Sequence, residues 1–326
     1  MAVNDKIRTP DYNDIQSALA TVMAGGSGNY GWGQTMLSSQ VSTSTKVTIN
    51  EWANLRYDII NAYKHIYGST PTMVSPAEGN TVRYSGSFVP DTGASDAPVT
   101  QYQTYVTNIS ANRFTVGAGQ YATTAATTSS TTWPSAFYGS YWTTRIACLV
   151  TVQFSSATEA RYFFNSGGTI RFTASQSGGT VSSQNSSWAS ILTTAGTREF
   201  GANTPSTGTT PADGLNWYRL TNTWTQWYSI SGSSPYGSNT FKIYSRCPVV
   251  NNSTGLAQSA EFLLEFNDVY TDPGNYYLDS PNTIDKVDGT FSVSASTKYA
   301  TGVLVPTGVG NFVVSNPVVT VGAVAP

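Results

Sequence analysis

Charge is scarce in this chain: Lys, Arg, Asp and Glu make up 10% of its 326 residues, against ~25% in an ordinary globular domain. A net charge of -2 and a pI near 5.4 leave no basic field, so neither nucleic acid nor an anionic membrane surface has electrostatic support as a partner. Histidine occurs once and cysteine twice, too few for a zinc site or a disulfide framework. Cys148 and Cys247 lie in strand-like stretches and read as reduced, buried thiols. No apolar run approaches the ~20 residues of a membrane span, which argues against membrane insertion. The opening MAVNDKIRTPDYND has no hydrophobic signal region, and the expectation is synthesis and retention in the cytosol until something else carries the protein out. A solenoid repeat, collagen triplets and heptads are also missing.

What is abundant is β-favouring. Aromatic residues reach 13%, and with many Val, Ile and Thr they supply the apolar surface that disordered segments lack. The first 70 residues nevertheless read as helical. Thr9-Pro10-Asp11 is a helix start, with Ile15, Leu19 and Val22 at helical spacing before Gly25-Gly26 ends the pattern. After a glycine-rich turn, Thr48 and Glu51 have capping-box spacing ahead of Trp52, Leu55, Ile59, Ala62 and Ile66, and Gly68 closes the helix. Neither stripe can be buried by its own helix, so the two pack on each other, on the later domain or on another chain. Residues 1–70 thus read as an attachment segment whose partner-facing side chains are Ile15, Leu19, Val22, Trp52, Leu55 and Ile59.

Residues 71–140, where the helical period fades and prolines recur, read as a loop-rich connection with some strands. Residues 141–326 carry the clear strand signals: RIACLVTVQF, ARYFF, GGTIRFTAS, LNWYRLT, TWTQWYSI, TFKIYSR, AEFLLEFNDVY, TFSVSAS and NFVVSNPVV. Asn165 to Gly168 would turn ARYFF back onto TIRFTAS as a hairpin. One helix, Asn185 to Ala195, places Trp188, Ile191 and Leu192 on one face to cover a sheet. The expected fold is mainly β: an antiparallel β-sandwich with a short helical N-terminal segment and one helix packed on the sheet.

Several strings carry a resemblance: DYNDIQSALATVMAGGSGNYGWGQ and SSQVSTSTKVTINEWANLRYDI near the start, then ARYFFNSGGTIRF, SSWASILTTAG, GLNWYRLT and VDGTFSVS. Together they resemble virion structural proteins of contractile-tailed marine phages, especially those infecting cyanobacteria. ARYFFNSGGTIRF is the most specific of them. The resemblance implies a tail, fibre or neck-appendage component, located on the virion after synthesis in the host cytoplasm and assembled with other phage structural proteins. It carries over no catalytic residue. Symmetric self-association, giving a homo-oligomer, is the expectation for such a part.

Side chains able to do chemistry are few. His65, in the last turn of its helix, suits the negative helix end better than a general-base role. Carboxylates gather late, at Glu261, Glu265, Asp268, Asp272, Asp279, Asp285 and Asp288. They could serve as solvated turns, as oxygen ligands for Ca²⁺ around Asp285 and Asp288, or as an acid–base pair hydrolysing a host glycan, and turns are the preferred reading. Trp217, Tyr218, Trp224, Trp227 and Tyr228 form an aromatic cluster, read as core or subunit interface; exposed, they would stack on a host surface glycan and make the chain an adhesin. Arg161 and Arg171 are expected to pair across strands or with a carboxylate. No catalytic, cofactor or metal residue is assigned, and the function expected is structural rather than enzymatic.

Overall fold

A computed structural model describes residues 9–42, 47–73, 99–133, 142, 145–203, 215–270, 287–306, 312–314 and 318–321. The chain forms two compact units. One comprises Met1–Ala122, Arg161–Gly168 and Tyr299–Gly310; the other comprises Thr123–Ala160, Thr169–Lys298 and Asn311–Pro326. The divisions read from sequence at 70 and 140 differ from these, because two later segments return to the helical unit.

Among the described residues, three helices lie wholly in the first unit: α1 (Thr9–Met23), α2 (Ile49–Tyr67) and α3 (Val99–Ala111). The Thr48–Glu51 capping box forms as its spacing requires, and Gly68 closes α2 in the left-handed conformation, φ 74°. The helix α3 corrects the loop-rich expectation for this stretch: Val99, Tyr102, Val106 and Ile109 recur at helical spacing and are buried. Its face completes the core. Tyr12, Ile15, Leu19, Val22, Trp52, Leu55 and Ile59 form one apolar cluster with Tyr102, Val106 and Ile109. Each such burial contributes on the order of 1.5–3 kcal/mol, and three short helices become stable together where none would be alone. The polar link between α1 and α2 is zipped down by side chains. The Asp58 carboxylate accepts from the Leu37 and Ser38 amides at 3.2 and 2.8 Å, while Asn13 exchanges hydrogen bonds with Val41 at 2.8 and 2.9 Å.

The second unit is an antiparallel sandwich. Its strands are β1 (Tyr121–Thr123), β2 (Thr127–Trp133), β3 (Arg145–Phe154), β4 (Thr169–Ser177), β5 (Arg198–Gly201), β6 (Thr225–Ser231), β7 (Thr240–Arg246), β8 (Ser259–Asn267), β9 (Gly289–Ala300), β10 (Phe312–Val314) and β11 (Val318–Val321). One sheet runs β1-β9-β4-β5 with β2 also on β9; the other runs β10-β3-β8-β7-β6 with β11 also on β3. Alternation puts every second side chain inside. Phe172 meets Phe262 across the interior at 4.7 Å, Phe200 meets Trp227 at 5.7 Å, and Phe266 meets Phe291 at 5.3 Å. The helix α5 (Ser183–Ala195) packs on β4, β6 and β7, and its Trp188 ring lies 5.0 Å from that of Trp142. The mainly β sandwich with one covering helix is therefore the observed architecture.

Two strand expectations fail. ARYFF belongs to a helix, α4 (Ala157–Asn165). Ser156 caps it by accepting the Glu159 amide at 3.1 Å, and Ala160, Phe163 and Phe164 are buried at helical spacing. Helical pairing and an S-x-x-E start outcompete the β preference of Tyr and Phe. Gly167, φ 86°, consequently ends a helix instead of turning a hairpin. LNWYRLT is likewise no strand: Asn216 accepts the Tyr218 amide and starts a single tight turn over Trp217–Arg219.

Candidate functional site

The first turn of α5 gathers the most chemically suggestive groups of the sandwich. Ser182 caps the helix through the Asn185 amide at 3.1 Å, and the side chains of Gln184 and Asn185 meet two carboxylates. Gln184 Nε2 donates to Asp268 Oδ1 at 2.7 Å, and Asn185 Nδ2 donates to Asp288 Oδ1 at 2.6 Å. Asp288 also accepts from the Thr180 amide at 2.8 Å and from the Thr180 hydroxyl, while its own amide donates to Asn185 Oδ1 at 3.1 Å. Asp268 is 3% exposed and Asp288 0%. Burial pushes the Asp268 carboxyl up to about 7, and hydrogen bonds from Asn239, Gln184 and the Tyr270 amide pull back only part of that shift.

Glycosidases use two carboxyls, one of them with a raised pKa, on either side of an open cleft. Here both side chains are covered and their oxygens are engaged by neutral donors from the chain itself. What the cluster does in this state is lock the α5 start, the end of β8 and the start of β9 together. The remaining late carboxylates divide. Glu265 pairs with Arg145 at 2.5 Å and Glu261 with Arg246 at 2.6 Å, both across strands of one sheet. Solvated turns were expected for these residues, and for Asp268, Asp288, Glu261 and Glu265 that reading is corrected, because each has a fixed partner. Asp272, Asp279 and Asp285, with the turn at Asp272–Asn275, lie outside the described residues. Among the described residues no three of His, Cys, Asp and Glu gather as metal ligands.

His65 anchors the helical unit. It is fully buried, its ring lies 4.6 Å from that of Trp32, and Nε2 is 2.9 Å from the Ser166 carbonyl. Burial drives its pKa down to about 4 against opposing backbone contacts at Ser166 and Leu304. It is neutral at physiological pH, so the expected favourable charge at the helix end does not operate. Its role is to tie the backbone at Ser166 and Leu304 to α2. The six stripe residues expected to face a partner are also internal: Ile15, Leu19, Val22, Trp52, Leu55 and Ile59 all lie in the helical core, none more than 3% exposed.

The aromatic cluster is mostly core. Trp217, Trp227 and Tyr228 are buried. Trp227 and Tyr228 are consecutive yet both covered, because a bulge between Gln226 and Tyr228 breaks the alternation of β6. Trp224 lies outside that strand with Arg246 over its ring at 4.4 Å, so no contiguous sugar-stacking platform forms. Arg171 pairs with Glu199 on the neighbouring strand at 3.1 Å, as expected; Arg161 instead donates to the Gly25 carbonyl at 3.2 Å. Cys148 and Cys247 are free and buried, and burial raises the Cys148 thiol to about 12, which makes it inert as a nucleophile. No helix is long and apolar enough to cross a membrane, among the described residues. Comparison with protein-family models, curated proteins and solved structures finds no match to this chain.

Proposed function

We propose that this chain is a non-enzymatic structural component of a tailed-phage virion, a tail, fibre or neck-appendage part that assembles with other phage structural proteins as a homo-oligomer. The observation that carries the non-enzymatic half is the use made of its reactive groups. His65, Asp268 and Asp288 are each buried and tied to backbone or amide partners within their own unit. A scaffold needs such ties, whereas a catalyst needs at least one of these groups open to substrate. The phage half rests on the sequence resemblance described above. Attachment is assigned to the outside of the helical unit, where Leu37 and Tyr57 are exposed, since the apolar stripes of α1 and α2 are consumed in its core. Glycan recognition through the aromatic cluster loses support with the burial of Trp217, Trp227 and Tyr228.

The test is particle composition. Purified virions of the phage encoding this chain should contain it in a fixed copy number by quantitative mass spectrometry, and a stop codon in its gene should remove it and its density from the particle. Presence in infected-cell lysate with absence from particles would overturn the assignment. Turnover of host polysaccharide by the purified chain, abolished in Asp268→Asn, would replace it with an enzymatic one.

A further inference from the structure

Strand β8 leaves its sheet at a joint built around one carboxyl. The ladder ends at Asn267, which pairs with Arg145 of β3 and Thr240 of β7. Next in the chain, Asp268 is buried, whereas Val269 is 51% exposed. The amides of Val269 and Tyr270 both donate to one acceptor, Asn239 Oδ1, at 3.0 and 2.9 Å, and Asn239 is itself fully buried. Gln184 Nε2 reaches Asp268 Oδ1 from the first turn of α5 at 2.7 Å. The joint thus brings together the end of β8, the connection between β6 and β7, and the start of α5.

The groups that bond the Asp268 carboxyl are uncharged: Gln184, Asn239 and the Tyr270 amide. The helix α5 contains no ionisable residue, and the connection from β6 to β7 contains only Tyr236. Among the described residues no cation pairs with Asp268. Arg145 and Arg246 are engaged by Glu265 and Glu261, and Lys242 stands opposite Glu265 in the ladder. Asp288, the other carboxylate at the start of α5, opposes a second negative charge. Neutral donors replace only part of the hydration that a carboxylate loses on burial, so the closed joint suits the protonated acid and water suits the ion. The two sides of the joint are unequally held. The start of α5 has its Ser182 cap, the 2.6 Å bond from Asn185 to Asp288, and Trp188 at 0% exposure, whereas residues 268–270 lie past the last ladder pair.

We propose that this joint is a proton-operated latch: with Asp268 protonated, residues 268–270 are seated on Asn239 and Gln184, and ionisation of Asp268 lifts that segment away while β8 and α5 stay in place. Burial raises the closed-state titration from 3.8 to about 7. The closed form therefore holds a proton that the open form has lost, and opening becomes easier as pH rises between those values. Above the upper one both forms are ionised and the dependence levels off. The inference does not depend on the virion assignment, and the test below leaves that assignment untouched.

The experiment is hydrogen–deuterium exchange of the full chain from pH 5 to 9, read by mass spectrometry at the peptide containing Val269 and Tyr270, with each rate divided by its intrinsic value. The expected result is protection that falls by up to about tenfold per pH unit between pH 5 and 7 and is level above pH 8. Peptides from β3 and β7 should keep theirs. In Asp268→Asn the profile should be flat. Protection that does not change with pH, the same fall in Asp268→Asn, or an equal fall in β3 and β7, which would make the event global unfolding, overturns the proposal. Should Asp268→Asn fail to fold, Gln184→Leu takes its place. Removing a donor that favours the ion raises the titration, so the levelling should move to higher pH, and an unmoved profile would overturn the latch equally.

Discussion

Replacing Asp268 with Asn should reverse the sign of a stability difference across a modest pH range. In the folded chain the Asp268 carboxyl titrates near 7, from an ordinary value of 3.8. The folded state therefore binds more protons than the unfolded state between those values, and stability falls as pH rises through the window. At ~1.36 kcal/mol per unit the full effect has a ceiling of about 4 kcal/mol. Asn keeps the shape and can still accept from Gln184, but it turns an amide toward other donors, which costs about 1 kcal/mol. Below pH 5 the variant should thus be slightly less stable than the parent. Above pH 8, where the parent holds an uncompensated buried charge, the variant should be more stable by roughly 1–3 kcal/mol. Urea unfolding followed by tryptophan fluorescence from pH 4 to 9 measures both curves, and their difference isolates this group from every other titration. Parallel curves, with a constant offset, would refute the placement of Asp268 as a buried acid.

Trp52→Asp should unfold the helical unit of the isolated protein, because Trp52 packs edge-on against Tyr12 at 5.3 Å and Tyr102 at 5.5 Å; the expected loss exceeds the ~3–5 kcal/mol of a Trp truncation. Far-UV circular dichroism and limited proteolysis read it, and a variant that melts like the parent would return this stripe to an external partner. Gly167→Val should cost at least about 2 kcal/mol, since φ is left-handed there. An added Cβ would also meet the Thr115 carbonyl carbon and the Val116 nitrogen at 2.6 Å. An unchanged melting temperature would contradict the helix end described for α4.

Local patterns in the sequence were sufficient wherever one element explains its own residues. The capping box at Thr48 and Glu51, the αL glycine at 68 and the alternation of RIACLVTVQF and TFKIYSR each reflect interactions within a few residues, and α2, β3 and β7 appear where those signals place them. The helix α5 and its apolar face were legible for the same reason. Where two local preferences compete, composition alone is a poor guide: ARYFF has the composition of a strand, but Ser156 and Glu159 give it a helix start. A hydroxyl-lined face of the sandwich shows the opposite limit. Alternating Ser and Thr is visible in TTSSTT and FSVSAS, yet only the register of β2, β9 and β4 brings distant segments into one face.

Burial is the property that only tertiary structure decided. An amphipathic helix specifies that its stripe must be covered and leaves open by what; here α3 and Leu304, from a returning segment, join α1 and α2 in one apolar cluster, so side chains that looked available to a partner are core. The ionisable residues follow the same rule. His65 and Asp268 are ordinary in sequence, and their displaced pKa values arise from removal of water by residues far away in the chain, an effect that no local pattern encodes.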